Sequence, residues 1–249
     1  MTTITPDEMK SLETLFMSET GTPSILLMEH AAQGVAAAIA RHAPKSARVL
    51  FLCGPGNNGG DGYAAARLWC SGGGQADVWE VTSAVRGDAL TNRTLALLHG
   101  VRVLPSADAV DVAEYAAVVD ALYGTGLNHA IEGDAAILIH RLSDHPQIPV
   151  IAVDIPSGLD GTTGRALGAD VVRAAETVTF HRIKQGLLLR QGVEYTGKIT
   201  VQPILIRPGD DIDLGWRALV RKAEVGTVDE GEVLALLDRD PDPDAWVRA

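Results

Sequence analysis

The stretch Gly54-Pro55-Gly56-Asn57-Asn58-Gly59-Gly60-Asp61-Gly62 decides the fold, because the segments on either side of it have opposite characters. Upstream, Arg48-Val49-Leu50-Phe51-Leu52-Cys53 is a short apolar run with β-branched and aromatic residues, the length of a buried strand. Downstream, Tyr63-Ala64-Ala65-Ala66-Arg67-Leu68-Trp69 is alanine-rich and predicts a helix, placed at residues 61–70. A strand, a glycine turn and a helix start make a corner where unpaired N–H groups converge and the helix dipole favours negative charge. Glycines there let the backbone approach a ligand with no Cβ in the way.

Outward from this corner the alternation continues. Further strands are predicted at residues 76–81, 101–104, 116–120, 150–154, 177–180 and 199–206, with helices at 87–98, 131–142 and 168–174. Such a pattern implies βαβ units and an α/β fold with a mostly parallel sheet covered on both faces. Ligands then bind beyond the C-terminal strand ends. Two helices precede the first strand. One is capped by Thr5-Pro6-Asp7-Glu8 and runs to about Phe16; the other carries Ile25 to Ile39 and ends before Pro44. The apolar face of the second is broad, which makes this pair a candidate oligomer surface.

At 249 residues the chain can bury one full core, and residues 208–249 read as a linker-like extension with a short helix near 230–237. A formal charge of −11 excludes an ordinary nucleic-acid binder, which needs clustered Lys and Arg. The expected partner is a small molecule. The start of the chain lacks a basic, apolar secretory signal, and no uncharged apolar run approaches the roughly 20 residues of a membrane span. The two cysteines, Cys53 and Cys70, suit a reducing compartment, so a cytoplasmic protein is expected.

Polar motifs collect at strand ends. Asn57, Asn58 and Asp61 follow the first strand, Asp120 precedes Gly124-Thr125-Gly126, and Asp154 precedes Pro156-Ser157-Gly158. Clustered carboxylates in a cleft repel and raise one another's pKa, and can accept protons or ligate a cation. Asn carbonyl, Asp carboxylate and Ser hydroxyl oxygens suit a hard cation; no His or Cys cluster has zinc spacing. Of the scattered histidines, His129 alone sits in a loop of interest. Phe180-His181-Arg182-Ile183-Lys184 brings a positive patch to the same edge, either a solvated loop or a phosphate contact through Arg182 or Lys184. Gly54, Gly56 and Gly59 also satisfy G-x-G-x-x-G, with Glu80 about where a ribose-binding acid would sit, which keeps a nicotinamide-dependent dehydrogenase in view.

These residues resemble the NAD(P)H-hydrate epimerase family, whose domain is called YjeF N-terminal. The resemblance covers residues 5–207 and rests on Leu27-Met28-Glu29, the glycine stretch 54–62, Val119-Asp120-Ala121-Leu122-Tyr123-Gly124-Thr125-Gly126-Leu127, Val153-Asp154-Ile155-Pro156-Ser157-Gly158-Leu159-Asp160-Gly161, and Thr179-Phe180 with Lys184 and Gly186-Leu187. Two departures are His30-Ala31-Ala32, where Asn-Ala-Gly is usual, and Gln202-Pro203 near a usual Asp. The resemblance implies a Rossmann-like three-layer domain over residues 1–207 that interconverts the R and S forms of hydrated NADH or NADPH, NADHX and NADPHX, an isomerase of cofactor repair. By position it implies a substrate site of Asn57, Asn58, Gly59, Gly60, Asp61, Gly124, Thr125, Gly126, Leu127, Asn128, His129, Ala130 and Asp154. It further implies a potassium ion at Asn58, Asp120 and Ser157, with backbone carbonyls of the Gly124 loop. Inversion at C6 by water loss and re-addition or by ring opening needs proton transfer, and Asp154 is the expected acid/base. Residues 227–237 resemble the join that leads, in bifunctional relatives, to an ATP- or ADP-dependent dehydratase domain. A homodimer is the expected assembly. The other readings are the dehydrogenase and a nucleotide-binding or interaction module that has lost turnover.

Overall fold

Arg48–Cys53 forms β1, a strand buried along nearly its whole length, and the helix that follows begins at once: α3 spans Asn57–Ser71. The computed structural model describes residues 3–207 together with Asp229 and Gly231. The linker-like extension and its helix at 230–237 therefore lie outside the described residues. Before β1 come α1 (Pro6–Thr20) and α2 (Ser24–His42). Thr5 and Glu8 close a reciprocal capping box at the start of α1, and Gly21 in the left-handed region ends it, so the helix runs one turn past Phe16.

After α3 the chain alternates through β2 (Gln75–Glu80), α4 (Gly87–Leu98), β3 (Arg102–Val103), β4 (Ala117–Ala121), α5 (Gly133–Ser143), β5 (Val150–Val153), β6 (Glu176–Phe180) and β7 (Lys198–Gln202). The seven strands form one sheet in the order β3-β2-β1-β4-β5-β6-β7, every pair parallel. Strands alternate their side chains between the faces. Val49, Phe51 and Cys53 join α1 to α4 in one core, while Leu50 and Leu52 join α5 in the other. The broad apolar face of α2, with Ala31, Ala32, Val35 and Ile39 fully buried, packs inward onto the first core. Glu176 ties α2 to the sheet through Arg41, His42 and Thr200. Burial would raise its carboxyl, but those hydrogen bonds outweigh burial and hold it down at about 2.

One expected helix is absent. Residues 168–174 are irregular, because Val171 and Val172 point into two different cores, an alternation that a helix cannot provide. The amides of Leu167 and Val172 donate instead to the carbonyls of Gly158 and Ser157, bracing the loop that follows β5.

The chain winds outward from β1 to β3, then returns to β4 and winds the other way. The gap between the ends of β1 and β4 is thus the point where the winding direction reverses.

Candidate active site

At that point the glycine stretch packs against the loop after β4. Asn57, Asn58, Gly59, Gly60 and Asp61 belong to the first turns of α3 rather than to a loop, and Gly56 before them offers no side-chain cap. The first N–H groups of α3 are left to face whatever enters the corner. The glycines make close approach possible. A Cβ on Gly54 would lie 1.7 Å from the Leu122 carbonyl oxygen, and one on Gly59 would lie 2.0 Å from the Gly54 carbonyl oxygen. Gly60 is covered by Met28, whose neighbour Glu29 pairs with Arg67 on α3. The Leu27-Met28-Glu29 motif therefore braces the corner from α2.

Asp120, on β4, is fully buried and makes no ion pair among the described residues. Its Oδ2 accepts the Ser157 backbone N–H at 2.8 Å, and its Oδ1 accepts the Ser157 hydroxyl at 2.6 Å. Burial pushes its carboxyl up to about 6 in spite of those bonds. Asn58, in the first turn of α3, sets its carboxamide oxygen against Gly124 of the loop that follows β4, and its Nδ2 is buried with no hydrogen-bond partner. A buried Asp120 carboxylate without a counter-charge among the described residues, the Ser157 hydroxyl bonded to it and the Asn58 carboxamide oxygen are oxygen donors of the kind a hard monovalent cation takes.

Asp154 follows β5 at a sharp turn. Its φ of 65° is rare for a side-chain-bearing residue, and the Ile155 N–H donates to the Val153 carbonyl across it. Lys184 sits 2.6 Å from Asp154 Oδ1 and is completely buried. The Thr179 hydroxyl donates to Asp154 Oδ1 at 3.1 Å and accepts from Lys184 Nζ at 3.3 Å; the Phe180 carbonyl accepts from Nζ at 3.0 Å. For Lys184 neither of the two readings of the positive patch, solvated loop or phosphate contact, fits this burial: its ammonium is paired with Asp154. A second left-handed residue, His181 at φ 59°, turns the chain back after β6 so that the lysine can reach.

A cavity of about 410 Å³ opens above these groups. Asn57, Asn58, Asp61, Gly124, Thr125, Gly126, Leu127 and Asp154 line it, whereas Gly59 and Gly60 lie behind its wall. Asn128 lines the adjoining hollow of about 400 Å³ shared with Lys10, while His129 and Ala130 line neither; exposed His129 contacts the Ala130 carbonyl. Met9, Lys10 and Glu13 of α1 complete the cavity, and none of the three is evident as a site residue in the sequence. The available signal is positional: Glu13 lies one turn from Met9 and borders the apolar stripe Met9, Leu12 and Phe16. Burial first, then the charge of Asp154, push Glu13 up to about 7, with Lys184 offsetting part of the rise. Burial, then Asp154 and Glu13, likewise raise Asp61. Glu80 is held by Tyr63 and by both guanidinium arms of Arg93, so its carboxylate is already occupied.

A doubly wound parallel sheet with an open helix N-terminus and a carboxylate-lined cavity at its reversal point defines a Rossmann-like α/β protein with a strand-edge site. The chain belongs to the family described as YjeF-related protein N-terminus, which it matches over residues 24–186. It is 35% identical over 201 residues to an NAD(P)H-hydrate epimerase of Weissella koreensis, covering 81% of this chain and 90% of that one. It is 34% identical over 229 residues to a bifunctional NAD(P)H-hydrate repair enzyme Nnr of Pyrobaculum aerophilum, covering 87% of this chain. The chain spans 45% of that protein and 38% of the corresponding enzyme of Thermanaerovibrio acidaminovorans, less than half of either. The crystal structure of yeast ynu0, YNL200c, shares the fold, with a TM-score of 0.73 at 22% identity over 86% of this chain and 93% of that one.

Proposed function

We propose that this chain is an NAD(P)H-hydrate epimerase, an isomerase that interconverts the R and S forms of NADHX and NADPHX. The observation that carries the reading is the Asp154–Lys184 pair, with Asp154 set by a strained turn in the wall of a cavity beside the open end of α3 and Lys184 buried behind it. Inverting a hydroxyl-bearing carbon by loss and re-addition of water needs proton transfer, and Asp154 is the group held ready for it. The α3 N-terminus and the loop Gly124 to Asn128 would hold the anionic dinucleotide, with Asn57, Asn58 and Asp61 lining the corner. Potassium would be held by Asn58, Asp120 and Ser157, where it would neutralise the buried carboxylate and fix the Gly124 loop. The reading includes a homodimer, supported by the exposed Leu26 of α2 and Leu90, Leu97 and Leu98 of α4. It also includes a cytoplasmic setting, supported by the free thiols Cys53 and Cys70. An S-specific, ATP- or ADP-dependent dehydratase, fused or separate, would consume the product. Among the described residues, no helix is long and apolar enough to cross a membrane.

The test supplies R-NADHX with such a dehydratase and potassium and follows recovery of NADH. The wild-type chain is expected to accelerate recovery. Asp154→Asn is expected to abolish that acceleration while nucleotide binding survives. A wild-type rate equal to the spontaneous one, or a fully active Asp154→Asn, overturns the reading.

A further inference from the structure

Inversion at the hydroxyl-bearing carbon of a hydrated nicotinamide needs a proton delivered on one face of the ring and a proton accepted on the other. Asp154 accounts for one of these. The cavity contains two more carboxyls, Asp61 in the second turn of α3 and Glu13 on α1. Asp61 lines the cavity from the same α3 turn region as Asn57 and Asn58, the corner that would hold the nucleotide, whereas Glu13 is partly exposed and reaches the cavity from the separate wall of α1. We infer that Glu13 is the second proton-transferring carboxyl of this site, working from α1 while Asp154 works from the end of β5. The inference rests on the epimerase reading.

The step balances with these two groups alone. The C6–O bond breaks and its electron pair leaves with the hydroxyl, which takes the proton of one carboxyl and departs as water. The N1 lone pair forms the N1–C6 π bond. A second water adds to C6 from the opposite face, the π pair returns to N1, and the added water gives its proton to the other carboxylate. One water leaves, one enters, and no electron passes to a redox partner. The single proton has moved from one carboxyl to the other, so the site is set for the reverse direction, as an epimerase requires.

The surroundings suit a shared proton. Glu13 faces Asp154 and Lys184 from the strand ends and Asp61 from α3, with Lys10 on its own helix. Asp154 and Lys184 neutralise each other at 2.6 Å, which leaves Glu13 among carboxyls in a confined space. Its value of about 7 keeps it protonated in about half the molecules at neutrality, where an acid that must also act as a base works best.

The full 249-residue chain with R-NADHX and the coupled dehydratase provides the test. Glu13→Gln is expected to lose about 100-fold or more of the R-to-S conversion rate. Binding of NADPH, read by its fluorescence, is expected to stay within about twofold of wild type. The wild-type rate falls as pH rises through about 7, because the shared proton is lost; Glu13→Gln lacks that limb, and Glu13→Asp keeps it at a reduced rate. A Glu13→Gln variant with wild-type rate and profile overturns this inference alone, as does loss of the limb in Asp61→Asn but not in Glu13→Gln. An inert wild-type chain overturns the epimerase reading and this inference with it.

Discussion

At Asp154 the backbone and the side chain are constrained together. A left-handed φ of 65° costs on the order of 1–3 kcal/mol, and it persists because Lys184 and Thr179 hold the carboxylate where the turn aims it. Removing the ammonium leaves a largely buried charge unpaired, a change worth about 3–5 kcal/mol in stability. The Asp154 side chain is 9% exposed to the cavity, so water can soften the loss toward about 3 kcal/mol. Lys184→Met is therefore expected to lower both stability and turnover. The double variant Asp154→Asn/Lys184→Met, which has no charge left to strand, is expected to regain most of the stability but none of the turnover. Urea unfolding of the four proteins of this cycle checks it, and a double variant no more stable than Lys184→Met sinks the argument. The sequence shows Lys184 as a cation near the site edge. Its burial is not legible there, because it depends on the reversal at His181 and on the Phe180 carbonyl, both products of the finished turn.

At the scale of elements, the corner between β1 and α3 illustrates how a correct motif can carry a different physical meaning. The glycine stretch is legible as a strand-to-helix corner, and β1 and α4 have the bounds expected. The sequence does not reveal that α3 already begins at Asn57, since adjacent asparagines and glycines are poor helix formers in isolation. Tertiary contact decides the matter: only residues without a Cβ fit where Gly59 meets the Gly54 carbonyl and Gly62 meets Ala121 and Cys53. Gly59→Ala, a gain in intrinsic helix propensity of about 1 kcal/mol, is thus expected to destabilise by about 2–3 kcal/mol through overpacking. It should also weaken NADPH binding by displacing the first turn of α3. A thermal scan showing Gly59→Ala to be as stable as wild type would falsify the packing account. The missing helix at 168–174 has the converse origin. Its composition permits a helix, but adjacent valines bound for opposite cores require extended chain.

For the molecule as a whole, the two halves of the sheet meet at β1 and β4, and Asp120 lies on that seam with no counter-charge among the described residues. A fully buried carboxylate destabilises the fold unless it is protonated or neutralised by a cation. Asn58 and Ser157 bring oxygen donors from α3 and from the loop after β5, so an ion seated among them would join both halves of the doubly wound sheet. Such an ion binds the folded chain and not the unfolded one. At tenfold excess over its dissociation constant it would add about 1.4 kcal/mol of stability. For a domain of this size that corresponds to a rise in Tm of about 3–5 °C. Potassium chloride is expected to raise Tm by that amount over tetramethylammonium chloride at equal ionic strength, a comparison that removes general screening. Asp120→Asn keeps the shape and the acceptor for the Ser157 amide but removes the charge, and it should show no difference between the two salts. A wild-type Tm indifferent to the choice of cation, or an equal potassium effect in Asp120→Asn, would place the ion elsewhere or nowhere. The carboxylate at the seam would then have to be kept neutral by its own proton, and the Ser157 hydrogen bonds would join the loops after β4 and β5 without an ion.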